Sequence, residues 1–368
     1  MKDHEYMKKA LELAKKGCGF VSPNPMVGAL IVKDGKIIGK AYHEKYGELH
    51  AEQNAISSCK VSTVGSTIYV TLEPCCHYGK TPPCTQKIID SGISKVVIGS
   101  ADPNPLVKGK GVEVLRKNGI EVVENVLRDE CDKLNEVFLN YIKTNLPYVV
   151  MKYAMTMDGK IATHTGKSKW ITGEIARRKV HEDRHKYSAI MIGVGTLIKD
   201  NPMLDCRIEN GKNPIRIICD TNLRSPLKSR IISTAQDIRT IIATSCIDIE
   251  MHKEYIKAGC KVIVIPRSEN HINLKQLIKK LGEQGIDSVM IEGGGTLNWS
   301  VLKSGIIDKI QTYISPKIFG GESSKSPVEG MGIDNPEDGI YLKNMKVMHL
   351  GQDILIESEV EKNVYRNY

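Results

Sequence analysis

Short apolar runs of strand length alternate with helical stretches along nearly the whole chain, and the alternation breaks once, at Asn145-Leu146-Pro147. Such alternation specifies an α/β fold. Proline ends the preceding helix and disfavours helical geometry in the residue before it, so two domains are expected, 1–145 and 146–368. A length of 368 residues agrees, being too long for one typical core. In the first domain a helix with Met7, Leu11 and Ala14 on one face, stopped near Gly17, precedes strands at Val27–Val32 and Ile37–Tyr42. Asp34-Gly35 between them is a hairpin signal. A helix from about His50 to Cys59, a strand at Ser66–Thr71, a helix at Cys84–Ser91 and a strand at Lys95–Gly99 follow. A helix at Val112–Asn118, a strand at Ile120–Val123 and a helix over Leu127–Ile142 complete this half. In the second half strands are expected at Tyr148–Ala154, Ala189–Gly193, Ile215–Cys219, Thr240–Ala243, Lys261–Ile265, Ser288–Ile291 and Lys309–Ile314. Helices are expected over Glu174–Tyr187 and Leu274–Leu281, with a terminal strand pair at Lys346–Leu350 and Ile354–Val360.

Composition narrows the class. With 41% hydrophobic and 26% charged residues the chain reads as a soluble globular protein. No apolar run approaches a membrane span, and the N-terminal stretch carries Asp3, Glu5 and Glu12, unlike an export signal. A cytoplasmic, reducing setting is expected, where the ten cysteines stay free and mostly serve as small buried apolar groups. The net charge of +9 is scattered and only 5% of residues are aromatic. That favours a basic surface attracting small anions over a nucleic-acid interface, which would cluster cations with aromatics.

One cysteine cluster asks for chemistry. His50-Ala51-Glu52 is followed by Pro74-Cys75 and then Cys84. An imidazole nitrogen and two thiolates suit zinc, and three protein ligands leave a fourth position for water. Zinc brings the pKa of that water near neutrality. Glu52, two residues past the histidine, can take and return protons without ligating the metal. The order H-x-E then P-C-x-x-C is a signature of zinc deaminases. Here the second cysteine stands nine positions after the first rather than three. The alternative is a closed structural site with Cys76 or His77 as fourth ligand, which leaves Glu52 unexplained.

With these residues in hand, the sequence resembles the bifunctional deaminase–reductase family of riboflavin biosynthesis, over nearly its whole length. In the first domain the likeness rests on Pro23–Gly28 (PNPMVG), His50–Glu52 (HAE) and Leu72–Cys84 (LEPCCHYGKTPPC). In the second it rests on Lys152–Lys160 (KYAMTMDGK), Ser168–Thr172 (SKWIT), Gly193–Arg207 and Ile291–Leu297 (IEGGGTL). The long cysteine spacing belongs to this family and separates it from tRNA and mononucleoside deaminases. Asp205 stands where Thr or Asn would be expected.

The resemblance implies a cytidine-deaminase-like α/β/α domain followed by a dihydrofolate-reductase-like α/β domain. It implies hydrolytic removal of the ring amine of a phosphoribosylamino pyrimidine, then reduction of its ribosyl group to ribityl with NADPH. Asn24, His43, His77 and Lys80 match positions lining the deaminase pocket. Ala154, Trp170, Thr196, Asp200, Thr221 and Gly294, Gly295, Thr296, Leu297, Asn298, Trp299 and Ser300 would contact NADPH. Lys152, Ser168, Arg184, Leu204, Arg207 and Glu292 would face the reductase substrate. The glycine turns at Gly193–Thr196 and Gly293–Gly295 agree with this, since a helix start offers free N–H groups to phosphate. There is no G-x-G-x-x-G after the first strand, which disfavours a Rossmann domain. One zinc per chain, small-molecule phosphoribosyl pyrimidines as partners, and a homo-oligomer, dimer or tetramer, are expected; nucleic acid and membrane are not. Two other readings stay open: a deaminase of nucleic-acid bases with a binding module, and a zinc-stabilised nucleotide sensor.

Overall fold

The computed structural model describes residues 2–78, 82–104 and 107–361. The chain divides into two compact units, Met1–Asn145 and Leu146–Tyr368.

The first unit is built on a sheet of β1 (Gly28–Lys33), β2 (Lys36–Tyr42), β3 (Thr67–Leu72), β4 (Lys95–Ser100) and β5 (Glu121–Val123), in the order β2-β1-β3-β4-β5. β1 pairs antiparallel with β2 and β3, and β3, β4 and β5 run parallel. Asp34 and Gly35 both take positive φ, 51° and 75°, which matches the twist of the hairpin they close. Side chains alternate between faces along β1. Ala29 and Ile31 join Ala51, Ala55, Ile88 and Leu115 on one face, and Leu30 and Val32 join Met7, Ala10 and Leu11 on the other. Helices therefore cover both faces, in an α/β/α sandwich. The helix Lys2–Ala14 crosses β1 so closely that a Cβ on Gly28 would lie 2.0 Å from the Ala10 carbonyl oxygen. Only glycine permits that approach.

The expected single helix over Leu127–Ile142 is two, Arg128–Leu134 and Glu136–Thr144. Asn135 separates them, buried, with its Oδ1 accepting from the Met26 N–H and its Nδ2 donating to the Met26 carbonyl. A side-chain amide engaged with distant backbone interrupts a helix whose apolar period runs on through it.

The second unit carries a nine-stranded sheet made of β6 (Tyr148–Thr156), β7 (Ala189–Gly193), β8 (Ile215–Cys219), β9 (Thr240–Thr244), β10 (Cys260–Val264), β13 (Ser288–Ile291), β14 (Lys309–Ser315), β15 (Leu342–Leu350) and β16 (Asp353–Val360). Its order is β10-β9-β8-β7-β13-β6-β14-β16-β15. The short strands β11 (Arg267–Ser268) and β12 (His271–Ile272) form a separate hairpin. The seven strands from β10 to β14 are parallel, and the β16–β15 pair closes the sheet antiparallel. Being buried on both faces, the central strands read as continuous apolar runs. Arg230–Ser233 lies outside the expected set, as do two longer helices. Val194–Asp200 follows β7 at once, and Ile249–Lys257 starts where the Asp248 carboxylate accepts from the Glu250 N–H.

Candidate active sites

In the first unit, the helix Ala51–Ser57 begins at His50, which holds the N-cap position without a side-chain cap hydrogen bond. Its ring is free to turn elsewhere, and Nδ1 lies 3.3 Å from Cys84 Sγ and 3.5 Å from Cys75 Sγ. Cys75 follows β3, and Cys84 opens the helix Cys84–Asp90, its N–H donating to Cys75 Sγ at 3.4 Å. The donor atoms of His50, Cys75 and Cys84 all lie within 4.8 Å of one another. A helix N-terminus and an imidazole both favour thiolate. The Cys84 thiol and, against burial, His50 pull Cys75 well below the ordinary thiol range, while Cys84 is pushed up by its hydrogen bond to Cys75 and by burial. Two sulfurs and one nitrogen this close are the donor set of zinc.

Glu52 is 3% exposed, and burial lifts its carboxyl to about 7, where a group can both take and give a proton. It borders a cavity of about 290 Å³ that Asn24, His43, His50, Cys75 and His77 also line. His43 is buried between the Leu49 carbonyl, 3.0 Å from Nδ1, and Asn24 Nδ2, 3.3 Å from Nε2. A carbonyl only accepts, so Nδ1 carries the proton and Nε2 accepts from Asn24. Burial lowers the pKa of His43 and keeps it neutral. Lys80 lies outside the described residues.

Sequence reasoning passed over Glu73, Asp102, Asn104 and Phe138, which line the same cavity. Buried Glu73 accepts from the N–H groups of Gly109 and Gly111 at 3.1 Å and of Asp102 and Val112 at 3.4 Å. It fixes the loop that carries Asp102, whose carboxyl burial raises to about 6. Glu73 is the E of the LEPCC run, so its position beside the first cysteine was the available signal.

In the second unit, parallel β6 and β13 set Ile291 against Met151, and the next residues, Glu292 and Lys152, face each other with Nζ 3.9 Å from Oε2. Arg184, from the helix Glu174–Lys186, forks onto both Glu292 oxygens. Arg184 also donates to the Asp205 carbonyl at 3.0 Å, and the Asp205 carboxylate holds Arg207 at 3.1 Å. Asp205 thus tethers a neighbouring cation.

A cavity of about 1180 Å³ gathers Lys152, Ser168, Arg184, Leu204, Arg207 and Glu292. Ala154, Trp170 and Asp200 line it too, while Thr196, Thr221 and the Gly294–Ser300 stretch do not. Trp170 is 60% exposed, with the Arg177 guanidinium 4.8 Å from its ring centroid. The two glycine turns are neighbours: a Cβ on Gly294 would lie 3.2 Å from Thr196 Oγ1. Glu329 packs against Gly295, and its carboxylate is 3.5 Å from Thr196's counterpart in the other turn, Thr296 Oγ1. Asn298 is 1% exposed and donates to the Pro327 carbonyl at 2.8 Å, so its side chain supports the turn from inside. The volume exceeds the usual range for one small ligand, roughly 300–1,000 Å³.

Two family profiles match the chain, "Cytidine and deoxycytidylate deaminase zinc-binding region" over residues 1–100 and "RibD C-terminal domain" over residues 147–356. A riboflavin biosynthesis protein RibD from Actinobacillus pleuropneumoniae is 51% identical, over 97% of this chain and 95% of its own. The structure of Acinetobacter baumannii RibD, form 1, superposes with a TM-score of 0.88 at 36% identity, covering 98% of this chain and 99% of that one. A Thermotoga maritima diaminohydroxyphosphoribosylaminopyrimidine deaminase/5-amino-6-(5-phosphoribosylamino)uracil reductase superposes with a TM-score of 0.84 at 40% identity, over 98% and 99% of the two chains.

Proposed function

The chain belongs to the RibD family of bifunctional riboflavin biosynthesis enzymes, and from that membership we propose which of its residues carry each step. Its first unit carries the zinc-binding deaminase region and its second the RibD C-terminal domain, to which the reductase step is assigned. As in the Thermotoga relative's name, the proposed substrates are the diaminohydroxy-phosphoribosylamino pyrimidine and then the phosphoribosylamino uracil. The first product is thus the second substrate.

The convergence of His50, Cys75 and Cys84 beside buried Glu52 carries the deaminase assignment. Bound by those three residues, zinc supplies water acidified to near-neutral pKa. Glu52 then moves protons to the departing amine, and the ring carbon exchanges ammonia for a carbonyl oxygen. Asn24, His43 and His77 are proposed to hold the pyrimidine; neutral His43 keeps Asn24 in place. Lys80 belongs to the same proposal.

In the second unit NADPH, when bound, supplies hydride for the sugar C1′. The paired glycine turns, with Thr196 and Gly294–Ser300, are proposed to take its phosphates, and Ala154, Trp170, Asp200 and Thr221 its remaining parts. The cavity's arginines support a phosphate-bearing substrate, because a guanidinium donates in pairs. Lys152 and Glu292 are proposed to hold the reacting sugar, with Ser168, Arg184, Leu204 and Arg207 around it. Domain limits at 1–145 and 146–368 belong to the same reading.

No helix among the described residues is long and apolar enough to cross a membrane. A cytoplasmic homo-oligomer, dimer or tetramer, that takes no nucleic acid completes the proposal. Exposed Leu342, Met345, Val347 and Met348 on edge strand β15 support self-association. The test is a zinc assay with coupled turnover of the pyrimidine nucleotide and NADPH, plus sedimentation for the assembly. Ammonia release without NADPH oxidation would remove the reductase assignment.

A further inference from the structure

We infer that Tyr313 is a positioning residue for reduction, presenting the face of an immobile aromatic ring to the Lys152 ammonium. The inference rests on the proposal that Lys152 acts at the reacting sugar. Strands β6 and β14 are parallel neighbours, with Gln311 opposite Lys152 and Tyr313 opposite Ala154. Residues at this spacing share a face, so Tyr313 lies diagonally ahead of Lys152. Nζ of Lys152 sits over the Tyr313 ring, 5.5 Å from its centroid, within cation–π range.

The ring has little freedom. Tyr313 is fully buried and packs with Ala176, Val180 and Leu355. Its hydroxyl donates to Asp183 Oδ2 at 3.3 Å, and the other oxygen of Asp183 is held by Lys179. Lys152 and Ala154 line the cavity while Tyr313 does not. The ring therefore acts through Lys152 and not on the substrate.

Lys152 needs such support. Burial lowers its pKa, Glu292 raises it, Arg184 lowers it and Asp183 raises it. Arg184 and Lys152 both draw on the one Glu292 carboxylate, and the guanidinium takes both oxygens at short range. A quadrupole whose negative face meets the ammonium favours the charged form without drawing on that carboxylate.

The test measures NADPH-dependent reduction of 5-amino-6-(5-phosphoribosylamino)uracil by the full zinc-loaded protein. The variants are Tyr313→Phe, Tyr313→Leu, Lys152→Met and a trifluorinated phenylalanine at position 313. Tyr313→Phe keeps the ring face and is expected to stay within about twofold of wild type. Tyr313→Leu and the fluorinated ring should lower kcat about tenfold with KM for NADPH unchanged. In both, the alkaline limb of the kcat profile should move to lower pH. The fluorinated ring preserves shape, so it decides the matter even if Tyr313→Leu fails to fold. A wild-type rate and an unmoved limb with that ring, while Lys152→Met has lost reduction, would overturn the inference. A wild-type rate for Lys152→Met would instead overturn the proposal beneath it.

Discussion

Arg184 Nε and Nη2 donate to the two carboxylate oxygens of Glu292 at 2.8 and 2.9 Å, although the residues are 108 positions apart in the chain. Lys152 approaches the same carboxylate at 3.9 Å. One acid thus stands between two nearly buried cations, and this sets what its removal does.

Glu292→Gln is expected to cut reduction by orders of magnitude. The variant is also expected to be less stable, because it leaves two cations with one neutral acceptor. Breaking a buried pair in this way costs about 3 kcal/mol. Chemical denaturation of both proteins measures it. Burial pushes the Glu292 carboxyl up, but Arg184 and Lys152 outweigh that and hold it at about 2, below its ordinary 4.5. A depressed pKa means stability that is complete above pH 4.5 and is lost as pH falls towards 2. The gap between wild type and variant should therefore close over that window. A gap that stayed constant from pH 7 to 3 would show that the charge is not its source.

Metal content is expected to be one zinc per chain. Cys84→Ser should bring it below about a tenth of that and abolish deamination, since a hydroxyl replaces a thiolate ligand. Elemental analysis after dialysis against a mild chelator reads the result directly. A full complement of zinc in the variant would mean that Cys84 is not a ligand.

Glu52→Gln is expected to retain zinc and lose deamination by roughly 10²–10⁴-fold, the span of positioned proton transfer. Reduction of supplied deaminated intermediate should continue. Loss of both activities in a folded, zinc-replete variant would contradict two separate sites.

Arg216 is completely buried on β8 and donates to the carbonyls of Met203, Ile231, Thr234 and Ile238 as well as to Thr234 and Thr240 hydroxyls. It ties the segment before Leu204 to the loop between β8 and β9. Arg216→Met leaves those acceptors dry, at about 1–3 kcal/mol for each one not rescued by water. A drop in melting temperature with a raised KM for the reductase substrate is expected. An unchanged melting temperature would show that water replaces the guanidinium.

What the sequence by itself determined was local. Hairpin chemistry at Asp34-Gly35, alternation along β1, the apolar runs of the parallel strands and the proline after Leu146 each act within a few residues, and each has its element in the structure. The order of His50, Cys75 and Cys84 named a donor set, with Glu52 beside it, because zinc chemistry restricts which residue types can serve together. What only the tertiary structure decided were pairings across many tens of residues. Asn135 splits a helix because Met26 offers backbone to bond. Glu73 gathers N–H groups from a loop about 30 to 40 residues ahead. Tyr313 comes under Lys152 only when two parallel strands settle into one register. Periodicity says which face of an element is buried but not which partner will cover it, because register and packing are settled by the whole core at once.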